Sequence, residues 1–217
     1  MLCAKDVGGE TRNNRVPAKI AVKRFMREEC RWVLGRLRGN KPRILLCALI
    51  LFTSGSAGFI VYDLVRDRVP ALMDYLFSNV FAEDELSTAI NILARNISAT
   101  TLMMLLGVLI LPPIFVLALN GFLIGVVARY TNERGLSWLQ ILVGLTPHGV
   151  FEIPALIISA SWGLKLGETL VNPGGGSRAA ALKRVFREAA AVYVSVVLPL
   201  LIIAAFIEVL VSSKLVA

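Results

Sequence analysis

"NISATTLMMLLGVLILPPIFVLALNGFLIGVVA", Asn96 to Ala128, runs for 33 residues without an Asp, Glu, Lys or Arg. As a single helix it would extend about 50 Å, at ~1.5 Å per residue. The hydrocarbon core of a bilayer is only about 30 Å thick. Pro112 and Pro113 stand near its middle, and proline removes a backbone donor and collides with the preceding turn. The stretch reads as two short helices, about 96–111 and 113–129. A single tilted helix kinked at the prolines is the alternative. The choice decides how often the chain crosses the membrane and on which side every later loop falls.

The flanking sequence has the same character. Residues 44–62 and 189–207 are also free of charged side chains, and residues 135–164 contain only Glu152. The 217-residue chain is 56% hydrophobic and only 18% charged, so four such blocks could not all be buried in a soluble core. The fold class is an all-α, polytopic helical membrane protein.

Charge fixes the orientation. Residues 1–43 hold 12 Lys and Arg against 4 Asp and Glu, the whole of the chain's +8; the remainder is balanced. Nucleic acid would be one partner for a basic segment. A basic segment joined directly to a membrane helix reads more simply as a cytoplasmic flank, so nucleic acid is set aside. Two helices in the 96–128 block put the loop 165–187, with Lys165, Arg178, Lys183, Arg184 and Arg187, on that same side. One helix would put it outside. The positive-inside rule favours two, giving five spans in the cell membrane with the N-terminus cytoplasmic.

The domains follow: a basic segment 1–43, a membrane domain 44–211 and a tail 212–217. Residues 18–38 are periodic. Val22, Met26, Val33 and Leu37 share one face, and Lys23, Arg24, Arg27 and Arg31 supply basic side chains, as in a helix on an anionic bilayer surface. A helix docked on the protein's own cytoplasmic side is the equal alternative. The first span is about 44–65, the last about 187–211, and one between them, 138–165, is broken at Thr146–Gly149. Residues 66–95 suit a short interfacial helix or the start of the second span. "NPGGGS", Asn172 to Ser177, is a flexible loop. Cys3, Cys30 and Cys47 have no metal-type spacing and are expected as free thiols. The first apolar block is an uncleaved anchor, since long polar sequence precedes it.

Ionisable residues at membrane depth are functional candidates by default. Here they are His148, Glu152 and Glu208, joined by the amides of Asn96 and Asn120. His148 and Glu152 are spaced i, i+4, so a helix restarting after Pro147 would carry both on one face. Three readings stay open: a buried pair that locks helices together, an ion or substrate site, or a catalytic dyad. One His and one Glu are too few ligands for a metal site. Gly121 with Gly125, and Gly163 with Gly167, have the small-x-x-x-small spacing that brings helix backbones close, within one chain or between copies.

"ARNISATT" (94–101), "LNGFLIG" (119–125), "TPHGVFEIPALIISASWGLKLGETL" (146–170) and "PLLIIAAFIEVLV" (199–211) resemble the stage II sporulation protein M family, also known as the DUF95 family. The resemblance covers roughly residues 44–211. Its motifs carry over to Asn96, Asn120, Gly121, Pro147, His148, Gly149, Glu152, Gly163, Gly167 and Glu208. Arg95 stands where the family often has a first asparagine. In spore-forming bacteria the resemblance implies a membrane scaffold working with peptidoglycan-degrading partners. Many relatives occur in organisms that form no spores.

The expected function is a non-enzymatic scaffold or complex subunit. The chain has no nucleotide loop, nucleophile motif or metal set, so no cofactor and no metal is expected. Its partners would be the lipid bilayer and other membrane or envelope proteins, with self-association a further option. The runner-up is a small transporter or channel-like protein with a midplane site at His148/Glu152.

Overall fold

The structure is a computed structural model that describes the backbone of residues 18–77 and 84–216. It describes the side chains of residues 27–75, 84, 86–143 and 149–207. Every described element is helical, as it must be where lipid offers no partner to backbone polar groups. In order the helices are α1 (Ala18–Gly39), α2 (Lys41–Ile60), α3 (Tyr62–Val65), α4 (Val69–Phe77), α5 (Glu85–Leu105), α6 (Leu111–Glu133), α7 (Trp138–Val171), α8 (Arg178–Val192) and α9 (Leu198–Val216). Among the described residues five stretches are long and apolar enough to span: Lys41–Ile60, Leu86–Leu109, Leu111–Glu133, Gly149–Val171 and Arg178–Ile207.

The charge-free block does divide into two spans. The break lies just ahead of the prolines. A 3₁₀ turn, Leu106–Leu109, closes α5, and Ile110 takes φ 65° and ψ −50° before α6 begins. A β-branched residue at positive φ is a strained exception. Pro112 and Pro113 occupy the first turn of α6. The amide groups of a first turn have no intrahelical acceptor, so prolines there remove donors that would otherwise be orphaned at depth.

Glycine contacts fix the directions of the spans. A Cβ at Gly125 would overlap the Gly55 carbonyl oxygen and lie 2.8 Å from the Phe59 amide nitrogen. One at Gly121 would overlap Ser54 and the Leu51 carbonyl, and one at Gly58 the Phe122 carbonyl. Residue numbers rise together along this contact, so α2 and α6 run parallel and in backbone contact. The Gly121/Gly125 spacing thus works within the chain, against the small residues of α2. Gly163 and Gly167 of α7 receive the turn between α5 and α6, beside Gly107 and Ile110.

α7 is the central helix. Its buried side chains include Ala155, Ile157, Ala160, Trp162, Leu164 and Leu166, and it packs on α2, α5, α6, α8 and α9. It runs unbroken from Trp138 to Val171. The irregular Thr146-Pro147-His148-Gly149 link expected from the sequence is therefore corrected: the backbone there is helical. Packed membrane helices tolerate internal proline because neighbouring groups satisfy the backbone that it frees. The side chains of Pro147 and His148 lie outside the described residues. α8 lays the stripe Ala181, Val185, Ala189 and Val192 against the core and leaves Lys183, Arg184 and Arg187 exposed. Gly174, Gly175 and Gly176, all at positive φ, reverse the chain between α7 and α8.

The described residues divide into two separate units between Gly35 and Arg36. In the first, the described residues belong to the helix that starts at Ala18; Arg27 and Arg31 are exposed. Cys3 and the side chains of Lys23 and Arg24 lie outside the described residues. Cys30 is an exposed free thiol and Cys47 a buried one.

Overpacking a tight backbone contact costs about 1–3 kcal/mol. Gly125→Ala is expected to lose that much stability when the detergent-solubilised protein is unfolded by SDS titration. Gly149→Ala, whose added carbon would sit 3.6 Å from Ile153 Cδ1, should be neutral or slightly stabilising. Equal tolerance of both substitutions would contradict the α2–α6 contact.

Candidate functional site

Among the described residues, two layers of polar contacts join the helices. The first lies at mid-depth between α5, α7 and the start of the last span. Asn96, near the middle of α5, donates through Nδ2 to Glu152 Oε1, near the middle of α7, and both residues are half-buried. One turn along α5, Thr100 Oγ1 lies 2.9 Å from the Tyr193 hydroxyl, and Thr101 Oγ1 donates to that oxygen at 2.8 Å. Tyr193 in turn donates to the Ile97 carbonyl at 3.2 Å. Ala155, Val197, Leu201, Leu93 and Ile97 wall this layer with apolar carbon.

Tyr193 opens a single turn of π-helix, Tyr193–Val197, between α8 and α9. Such a turn carries an extra residue and re-aims the side chains around it. Here it accompanies a phenol turned towards two threonines. Interhelical hydrogen bonds in membranes average about 0.6 kcal/mol and reach about 1.7, so the set locks α5 to α7 and to the π-turn by a few kcal/mol at most.

The second layer is at the end of the bundle where α2 starts. Asn40, fully buried, donates through Nδ2 to Ser161 Oγ at 3.0 Å, and its Oδ1 accepts from Arg43 at 3.3 Å. Arg43 also holds Glu168, with Nε 2.9 Å from Oε2. Glu188, only 11% exposed, takes Arg36 at 2.6 Å and Lys165 at 3.1 Å. Lys165 also sits 4.2 Å from the Trp162 ring centroid. A carboxylate this sheltered needs both cations, since losing either would leave charge poorly compensated. These contacts set the basic loop after α7 and the start of α2 at the same end of the bundle.

Of the residues singled out from the sequence, the structure brings together Asn96 and Glu152. Asn120 is not part of that contact; its Nδ2 returns 2.8 Å to the Val116 carbonyl of its own helix. The side chains of His148 and Glu208 lie outside the described residues. Thr100, Thr101, Tyr193, Asn40, Ser161 and Glu188 were missed. The Asn-Ile-Ser-Ala-Thr-Thr run offered a signal, because Asn96 and Thr100 are one helical turn apart. Among the described residues no three His, Cys, Asp or Glu gather as a metal site. Ser159 Oγ and Trp162 Nε1 are buried without a hydrogen-bond partner among the described residues.

A family model described as Stage II sporulation protein M matches residues 45–213. The chain is also similar to an uncharacterized protein of Methanocaldococcus jannaschii, 29% identical over 143 residues. That match spans 61% of this chain and 63% of the relative's length. No solved structure matches.

A double-mutant cycle of Asn96→Leu and Glu152→Leu, read by SDS unfolding, should give a coupling of about 0.6–1.7 kcal/mol. Glu152→Gln, which keeps an acceptor, should retain most of it. Additive losses would show that the two residues do not act as a pair.

Proposed function

The chain belongs to the stage II sporulation protein M family, and on that premise we propose that it is a non-enzymatic, multi-pass membrane scaffold or complex subunit. The observation that carries this reading is how the mid-depth polar groups are used. Asn96, Glu152, Thr100, Thr101 and Tyr193 close on one another across helices. The apolar groove beside α2 and α6 and the polar cleft beyond α2 are lined by other residues. Polar groups used this way set the relative positions of helices and hold a fixed surface for partners. The partners would be other membrane or envelope proteins, in line with the family resemblance, and the N-terminus would face the cytoplasm by the positive-inside rule.

One observation favours a second reading, a small transporter or channel-like protein. Among the described residues, Ser159 Oγ and Trp162 Nε1 of α7 are buried without a hydrogen-bond partner, and buried polar atoms left this way are where a bound water or ion would sit.

Cross-linking in intact membranes, followed by purification in mild detergent, separates the two. The scaffold reading predicts a discrete membrane or envelope protein cross-linked to wild type and equally to Glu152→Gln, and lost from Glu152→Leu. A passage role predicts proton or Na⁺ flux in proteoliposomes that Glu152→Gln abolishes without loss of folded yield. That result would overturn the scaffold reading.

A further inference from the structure

The end of the bundle away from Arg36 and Arg43 carries a cleft of about 390 Å³ lined by Tyr62, Arg66, Asp67, Tyr130, Glu133 and Arg134. We propose that this cleft binds the phosphodiester group of a lipid in the leaflet at that end.

The cleft is rigidly built. Arg66 and Asp67 belong to a single 3₁₀ turn, Arg66–Arg68. Tyr62 on one side of that turn is 3% exposed, and Val69 on the other is 1% exposed. Both are packed with Val126 and Tyr130 of α6, so the turn is pinned from both flanks. Arg134 is held with its guanidinium carbon 4.4 Å from the Tyr130 ring centroid. Groups held in place lose little freedom when a ligand arrives.

The charges select the ligand. Glu133 is engaged by Arg129 at 3.7 Å and by the neighbouring Tyr62. Burial, and then Glu133, raise the Tyr62 pKa, so this hydroxyl stays a neutral donor. Among the described residues, Arg66 and Arg134 have no carboxylate within ion-pair distance. Among the same residues Asp67 has no cation within ion-pair distance. Two guanidinium groups and one carboxylate therefore remain uncommitted, a net single positive charge. A phosphodiester carries one negative charge and the planar pair of oxygens that guanidinium binds best. Asp67 and the Tyr130 ring would then face the hydroxyl or ammonium part of the same headgroup.

Depth identifies the source. The cleft begins just beyond Ile60, where the first span ends, and headgroups lie immediately outside the hydrocarbon core. A soluble phosphodiester shares the chemistry but lacks acyl chains that would keep it at this depth.

Native mass spectrometry of the detergent-solubilised full chain, titrated with dioleoyl phosphatidylglycerol, tests the proposal. Arg66→Gln/Arg134→Gln should weaken apparent lipid affinity at least fivefold. Lys183→Gln/Arg184→Gln, on α8 away from the cleft, should leave it unchanged. Matching unfolding transitions would show that the variants are folded, as expected for exposed side chains. A parallel titration with glycerophosphoethanolamine, which has the diester but no acyl chains, should show no saturable binding. Equal lipid affinity in wild type and Arg66→Gln/Arg134→Gln would overturn the proposal. Tight binding of glycerophosphoethanolamine would overturn the lipid assignment in favour of a soluble phosphodiester.

Discussion

The turn between α5 and α6 comes within backbone contact of α7, and the rest of the bundle follows from that approach. At Gly107 and Gly163 there is no room for a side chain on either partner. Once Leu106–Ile110 is seated there, α5 must end and α6 must set out in the opposite direction. α6 then runs parallel to α2 and meets it through Gly55, Gly58, Gly121 and Gly125. Lipid tails are as apolar as leucine, so burial of hydrocarbon gives little preference for one helix pairing over another. Close backbone packing supplies that preference, and a strained Ile110 is tolerated because the contact determines it.

The polar groups are arranged by depth. At the end where α2 begins, full charges are paired in short chains: Arg43 with Glu168, and Glu188 with both Arg36 and Lys165. At mid-depth, Glu152 is met by an amide, and the neighbouring contacts are between hydroxyls and a carbonyl. This gradation follows the cost of charge, which is low near headgroups and several kcal/mol at the centre. It also gives the bundle two independent clamps. One joins Arg36 and the start of α2 to α7 and α8. The other joins α5, α7 and the last span at depth.

Much of this architecture was legible in the sequence. The 33 charge-free residues were too long for one crossing, and the Pro-Pro pair located the break to within a few residues. The glycine spacings pointed to close packing because few other patterns let helix backbones touch. Asn96 and Glu152 stood out as rare polar groups in apolar surroundings. The partnering was harder to read. Periodicity gives the face of a helix and leaves its neighbour open, so Asn120 or Glu208 was expected close to Glu152, where the structure puts Asn96. Pro147 of α7 read as a break, since local propensity says nothing of the neighbours that hold a helix together. Tyr193 lay in an ordinary apolar run, and only the π-turn aims it at Thr100 and Thr101. Asn40 stands in a polar run, Gly-Asn-Lys-Pro-Arg, that carries no sign of burial, although tertiary packing buries it completely.

The break at Leu106–Ile110 makes five crossings, which brings the α7–α8 loop back to the end of the bundle where α2 begins. Membrane-impermeant thiol labelling of intact and permeabilised cells tests it most directly. Single cysteines would be compared at native Cys30, at Ser177 and at Arg134, each in an otherwise cysteine-free chain. With five crossings, Cys30 and Ser177→Cys become reactive together, under the same condition, and Arg134→Cys under the opposite one. Ser177→Cys reacting from the side opposite Cys30 would contradict the five-span fold.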